Sequence, residues 1–375
     1  MKARSLVRIA SAAALSVAAL ASQAATVVVG QVGPMSGMEA TQGRAYASGM
    51  ELYFNHVNKA GGVNGNQFTL VRKDDGGRAE DTVEMTRQLL AESKPLVLAG
   101  YFGNKNVDDL LASGMLAKEK IALVGYRDWE IRADTPLLYN PRAGLREELN
   151  KLTEHLATIG ITRLGLFYEA GPGAVNLVTA ADQAAHNAKA TLVVQGSYPV
   201  GSAKVTQAVD TFVKTPPQAI IMVASGAAAA AFIEQYREAN GRAQIFSHSG
   251  ADVEQMAKRL SDEQLQGVAI AQVTPSPYKI SSRIAKEFND IAAQAGKLDS
   301  PISYATMEGF ITAKVIVEAV RRQGRAPTRE GTIAALDAME QYDAGGYLVS
   351  FKPNQHTGSK YVELSIVGSA GKIRQ

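Results

Sequence analysis

The sequence contains no cysteine, which excludes disulfides, thiolate metal ligands and a thiol nucleophile. It also excludes a lipidated amino terminus, because that anchor needs a cysteine at the cleavage site. Histidine is scarce: His56, His155, His186, His248 and His356 are the five, and none stands in a metal-ligand spacing such as H-E-x-x-H. There is no G-x-S-x-G elbow and no Walker loop, and Gly171-Pro172-Gly173 lacks the third glycine of a dinucleotide fingerprint. Lys and Arg form no basic patch suited to nucleic acid, and beyond residue 24 no run is long or apolar enough to span a bilayer. These absences argue against an enzyme, and no cofactor or metal is expected.

What is present begins with a leader. Lys2, Arg4 and Arg8 form a basic start, Ile9 to Leu20 an Ala-rich apolar core, and Ser22-Gln23-Ala24 the small residues a signal peptidase reads. Cleavage is expected after Ala24, making residues 1–24 a signal peptide. The formal +3 charge of the 375-residue chain equals the three basic residues of that leader, so the chain from Ala25 onward is formally neutral. Its length suffices for two domains with proper cores.

The stretch from Ala25 to Asp75 organises the rest. Thr26 to Gln31 is a β-branched run that reads as a buried strand. Gly33-Pro34-Met35-Ser36-Gly37 is a tight loop at its carboxyl end. Tyr46, Met50, Tyr53 and Val57 recur at helical spacing, Gly61-Gly62 stops the helix, and Gln67 to Lys73 is a second strand. Strands and helices then alternate: Pro95 to Gly100, a helix over Val107 to Lys118, and Ile121 to Val124, followed by a second series from Leu145 to Gln272. Late in the chain, Ser303 to Gln323 reads as a helix with Ser303 as N-cap and Gly324 as stop. The alternation predicts α/β architecture with parallel sheets, in which ligands sit beyond the carboxyl ends of the strands.

The opening stretch resembles the periplasmic leucine/branched-chain amino-acid-type binding proteins of ABC importers. The matching residues are Val29-Gly30, Gly33 to Gly37, Gly43, Gly49, Asn55, Asn58, Gly61-Gly62-Val63-Asn64-Gly65 and Asp74-Asp75. The resemblance implies the type I periplasmic binding protein fold: two Rossmann-like lobes joined by a three-stranded hinge. It implies a first lobe of 25–141 plus 276–354 and a second of 142–275 plus 355–375. It also implies a periplasmic location, a small-molecule ligand and an ABC permease as partner, with no direct membrane insertion once the leader is removed. A periplasmic sensor handing the same signal to a membrane receptor is the alternative.

Four loops carry the candidate binding residues. The first, Pro34 to Gln42, offers Ser36 and Gln42. The second, Tyr101 to Asn106, offers Phe102, Asn104 and Lys105, with the following helix N-terminus suited to a carboxylate; Lys105 is equally readable as a solvated surface residue. In the third, Tyr126, Arg127 and Trp129 stand where the family has a Ser/Ala/Thr-rich turn. Arg127 could hold a carboxylate bidentately, or it could form a surface pair with Asp128. The fourth offers His248 and Ser249 where amino-acid binders of the family place a carboxylate; nearby Asp252 reads as a helix cap. Glu169 either reaches the cleft or faces water. These departures favour an organic acid with an apolar or aromatic body over leucine.

Overall fold

The structure is a computed structural model that describes residues 25–368 and 373–374. The expected signal peptide lies outside the described residues. The first sheet takes β1 (Ala25–Gly33), β2 (Asn66–Asp74), β3 (Val97–Phe102), β4 (Leu123–Arg127) and β5 (Leu138–Tyr139) in the order β2-β1-β3-β4-β5, all parallel. Between them run α1 (Ala40–Lys59), α2 (Ala79–Ser93), α3 (Asn104–Ala112) and α4 (Met115–Glu119). The second series is α5 (Leu145–Thr158), β6 (Arg163–Ala170), α6 (Ala174–Asn187), β7 (Thr191–Pro199), α7 (Thr206–Lys214), β8 (Ala219–Val223), α8 (Gly226–Glu238), β9 (Gln244–Ser247), α9 (Val253–Arg259), α10 (Asp262–Leu265) and β10 (Ala269–Gln272). Its strands repeat the first order as β7-β6-β8-β9-β10.

The chain then returns to the first lobe with α11 (Arg283–Ala295), α12 (Tyr304–Gln323), α13 (Arg329–Asp337) and the short pair β11 (Tyr342–Asp343) and β12 (Leu348–Val349). It crosses a third time to add β13 (Glu363–Val367) and β14 (Ile373–Arg374) antiparallel at the edge of the second sheet. Two lobes joined by three crossings result.

Both sheets are covered on both faces, which explains continuous apolar strands such as Ala219-Ile220-Ile221-Met222-Val223, buried throughout. In the first lobe Val29, Tyr46, Phe310 and Tyr347 fill one side and Leu89, Leu98 and Leu123 the other. In the second, Phe167, Phe212 and Phe232 face Leu149, Leu152 and Ile221 across the sheet. The crossings are knitted together. Asn140 N–H donates to His356 O and Gly358 N–H to Asn140 O, each at 2.8 Å, while the Tyr347 hydroxyl lies 3.2 Å from Pro141 O and 2.9 Å from Val273 O.

Two expectations change. The single helix over Val107–Lys118 is two helices, because Gly114 adopts a left-handed φ of 67° and breaks the run. The first of them starts at Asn104, so Asn104, Lys105 and Asn106 form a helical first turn rather than a loop. The Ser303 cap is present, reinforced by a reciprocal bond from Ser303 N–H to the Thr306 hydroxyl, and Asp252 does cap α9 through Gln255 N–H.

Helices α1 and α12 pack backbone to backbone. A Cβ on Gly49 would sit 1.9 Å from Thr306 O, and one on Gly309 would sit 2.0 Å from Tyr46 O. No side-chain rotation relieves either clash. Gly49→Ala is therefore expected to destabilise the protein by about 2 kcal/mol or more, as overpacking against fixed backbone does. Urea denaturation measures this; an unchanged midpoint would show that the two helices separate freely.

Candidate functional site

The two sheets point the carboxyl ends of their strands at each other, and in each the order reverses at the first strand. This is where α/β sheets open a crevice. The loops after β1, β3 and β4 face those after β6, β8 and β9. The lobes are closed on one another: Gln255 Nε2 donates to Met38 O at 3.0 Å, Gln42 Nε2 lies 3.4 Å from Gly250 O, and Ala227 N–H reaches Glu39 Oε1 at 3.4 Å.

A chain of buried charge runs through the contact. Arg127, at the end of β4, donates from Nε to Glu308 Oε2 (3.1 Å) and from Nη2 to Glu308 Oε1 (2.6 Å), and also bonds Gln42 Oε1. Arg142, in the first crossing, donates from Nη1 to the same Glu308 (3.3 Å) and from Nη2 to Glu148 Oε1 on α5 (2.6 Å). Glu148 in turn accepts from Ser249 N–H at 2.6 Å and Ser249 Oγ at 3.0 Å. Two arginines and two glutamates, all buried, thus link α12 and β4 of the first lobe to α5 and the Ser249 turn of the second.

The two carboxylates differ. Burial pushes Glu308 up, but Arg127 and Arg142 outweigh it and hold the group below its ordinary range. Glu148 is pushed up by burial, which Arg142 and Ser249 only partly oppose. One arginine does not offset full desolvation; two do.

Beside this chain lies an inner cavity of about 50 Å³ walled by Phe102 and Trp129, with Glu39, Gln42, Arg127 and Gly250 completing it. The Phe102 ring meets Tyr46 edge-on at 5.7 Å, and the Arg127 guanidinium sits 5.8 Å from its centroid. Trp129 separates this space from an outer chamber of about 130 Å³ lined by Asn104, Lys105, Glu169, Pro172 and Val200. Asn104 Oδ1 accepts from Trp129 N–H at 2.9 Å and so fixes the loop that carries the indole. His248 meets the Trp129 ring edge-on at 5.7 Å. Burial, then the nearby Arg142 charge, push the imidazole down to about 3, so it is neutral, and neither ring nitrogen has a hydrogen-bond partner.

The residues singled out in the sequence fall into distinct places. Gln42, Phe102, Arg127 and Trp129 share the inner cavity. Asn104, Lys105 and Glu169 share the outer chamber with the other face of Trp129. Lys105 is exposed there and paired with Asp109 at 2.6 Å, and Glu169 accepts from Gly201 N–H at 3.1 Å. His248 and Ser249 stand behind the second-lobe wall. Tyr126 lines a separate cavity of about 250 Å³ on the hinge side. Ser36 is exposed, its N–H donated to Asp74 Oδ1 at 3.1 Å. The surface pair Arg127–Asp128 does not form: Asp128 pairs with Arg132, and Arg127 turns inward to Glu308.

Glu39, Arg142, Glu148 and Glu308 were not singled out. Glu308 had a readable signal, as a lone acid in the apolar run from Tyr304 to Ala313. Among the described residues no group of His, Cys, Asp or Glu side chains could hold a metal ion, and no helix is long and apolar enough to cross a membrane.

The comparisons agree with this architecture. The family profile described as "Periplasmic binding protein" matches residues 26–372. A crystal structure of a substrate-binding periplasmic protein from Ralstonia solanacearum is 35% identical with a TM-score of 0.87, covering 93% of this chain and 99% of that one. The Leu/Ile/Val-binding protein homolog 8 of Brucella suis is 24% identical across 91% of this chain and 88% of its own length. A branched-chain amino acid transporter substrate-binding protein from Streptococcus pneumoniae, solved with isoleucine, shares the fold at 16% identity with a TM-score of 0.76, over 93% of this chain and 98% of that one. The chain belongs to the periplasmic binding protein family, a family of solute-binding proteins rather than enzymes.

Removing Glu308 would strand the buried Arg127 and leave Arg142 with Glu148 alone. Glu308→Ala is expected to cost about 3–5 kcal/mol of stability, measured by urea unfolding at pH 7. A loss below about 1 kcal/mol would mean that water reaches the arginines and the chain of charge contributes little.

Proposed function

We propose that this protein captures a small carboxylate with an apolar or aromatic body, an organic acid or amino acid, and delivers it to the permease of a branched-chain amino-acid-type ABC importer. The lobes are taken as 25–141 plus 276–354 and 142–275 plus 355–375, with the leader removed after Ala24 on export to the periplasm. The observation that carries the ligand class is the pairing, at one cleft, of two aromatic walls with anion-binding groups. Phe102 and Trp129 offer flat apolar surface. The first-turn N–H groups of Asn104, Lys105 and Asn106 lack intrahelical acceptors and suit a carboxylate. Of the five N–H donors of Arg127, three are committed to Glu308 and Gln42, leaving two for a ligand. The neutral His248 behind Trp129 adds no charge for an α-ammonium group. The names of the relatives, as transporter components, favour import over sensing.

The cavities hold a small solute only. A ligand is expected to enter the open cleft and be enclosed as the lobes close, with affinity set by the free-energy difference between the two forms.

A thermal-shift screen of the chain from Ala25, stripped by partial unfolding and refolding, tests this. A ligand at about a hundred times its Kd adds roughly 2.7 kcal/mol of stability. Aromatic or aliphatic acids are expected to shift the melt, and Trp129→Ala to weaken the best of them about fivefold, since losing a stacking partner removes about 1 kcal/mol. A response to leucine with silence from plain acids would narrow the class to amino acids, whereas silence from every acid and amino acid in the panel would overturn the ligand class and leave the transport role standing.

A further inference from the structure

Glu39 is the one acidic side chain that the first lobe inserts into the inner cavity. It leaves the loop before α1 and reaches the N-terminus of α8 in the second lobe, where Ala227 N–H donates to Oε1 at 3.4 Å. Its other oxygen accepts from Gln42 Nε2 at 2.9 Å. The groups that face it come from several elements. The α8 cap contributes the Ser225 hydroxyl, and β7 contributes Tyr198. The turn before α9 contributes Asp252, whose own carboxylate is occupied in capping Gln255 N–H at 2.9 Å. Behind Asp252 stands Glu254, held by Tyr278 Oη at 2.6 Å and Tyr304 N–H at 3.0 Å. The cation acting on Glu39 is Arg127, which is already shared with Glu308.

Closing the lobes therefore moves this carboxyl partly out of water and toward a second acid. In return it gains a long bond from Ala227 N–H and one from the Ser225 hydroxyl at a helix N-terminus, where an anion is otherwise favoured, and these do not offset the loss of water. We infer that lobe closure takes up a proton at Glu39, so that acid favours the closed, solute-holding form. This concerns the regulation of the cleft described above and rests on closure being the binding motion.

Burial is the main cause and Asp252 adds to it, while Ala227 N–H and Arg127 oppose; the balance raises the closed-form carboxyl from 4.5 to about 7. In the open form the loop faces water and the group takes its ordinary value. A group whose value is higher in the closed form favours closure fully below the open value, and loses that effect as pH rises through the closed value. The window therefore runs from about pH 4.5 to about pH 7.

The test needs no solute. Small-angle scattering of the stripped chain from Ala25 between pH 4.5 and 8.5 reads the ratio of compact to open forms. The emission of Trp129, the single tryptophan, follows the same change. The compact-to-open ratio of the wild type is expected to fall about tenfold or more from pH 5 to pH 8, each unit of difference between the two forms being a factor of ten. Glu39→Gln, which mimics the protonated acid, should remove that dependence. Asp252→Asn, which keeps the cap and removes the neighbouring charge, should move the midpoint to lower pH, and it decides the matter alone if Glu39→Gln does not fold. A wild type insensitive to pH, or a Glu39→Gln variant that titrates like the wild type, overturns the inference. Because no ligand is added, such a failure is separate from a failed ligand screen, which would count only against the proposed solute class.

Discussion

The buried run Arg127–Glu308–Arg142–Glu148 is the constraint on which the cleft depends. Four charges taken from water would each cost several kcal/mol if left alone. Here each carboxylate meets an arginine at 2.6 Å and each arginine meets a carboxylate, so the cost is offset at Glu308 and partly offset at Glu148. Such a chain is one-sided: intact it contributes little net stability, whereas the loss of Glu308 strands Arg127 and the loss of Arg142 strands Glu148. It also has a direction. It starts at the strand that presents Arg127 to the inner cavity, passes through the first crossing, and ends on the Ser249 turn of the second lobe.

The same run explains why Arg127 is not a free anion trap. Glu308 takes two of its donors and Gln42 a third, so the guanidinium is a fixed wall that presents its remaining donors in one direction. On the proposed reading, recognition then falls to shape and to backbone dipoles. Phe102 and Trp129 define the width of the cavity, and the start of α3 supplies N–H groups without adding charge. The break at Gly114 matters here. It leaves α3 a short helix whose first turn sits at the mouth of the cleft, with Asn104 holding the Trp129 loop in place.

Much of this architecture was legible in the sequence because it is local. β-branched runs announced the strands, Ser303 and Gly324 bracketed α12, and Asp252 read as a cap from its position before a helix. The loops that meet in the cleft were identifiable because they follow strands. What stayed hidden is long-range. Arg127 lies 181 residues from Glu308, and Arg142 lies 107 from Ser249, and periodicity carries no information about such pairs. Asp128, adjacent to Arg127, is the obvious partner in the sequence, yet β4 points alternate side chains to opposite faces and gives Asp128 to Arg132. Glu39 was passed over inside a loop that had been singled out, since only the approach of α8 from the other lobe shows that its carboxyl is half-buried against that lobe. Tyr126 sat beside true cleft residues in sequence but turns, by the same alternation, to the hinge side.

The most direct measurement is a crystal structure of the chain from Ala25 with the strongest ligand from the melt screen. The account predicts closed lobes, the ligand body between Phe102 and Trp129, its carboxylate at the first turn of α3, and Glu308 still bridging Arg127 and Arg142. A ligand seated in the hinge-side cavity beside Tyr126, or one whose carboxylate displaces Glu308 from Arg127, would contradict it.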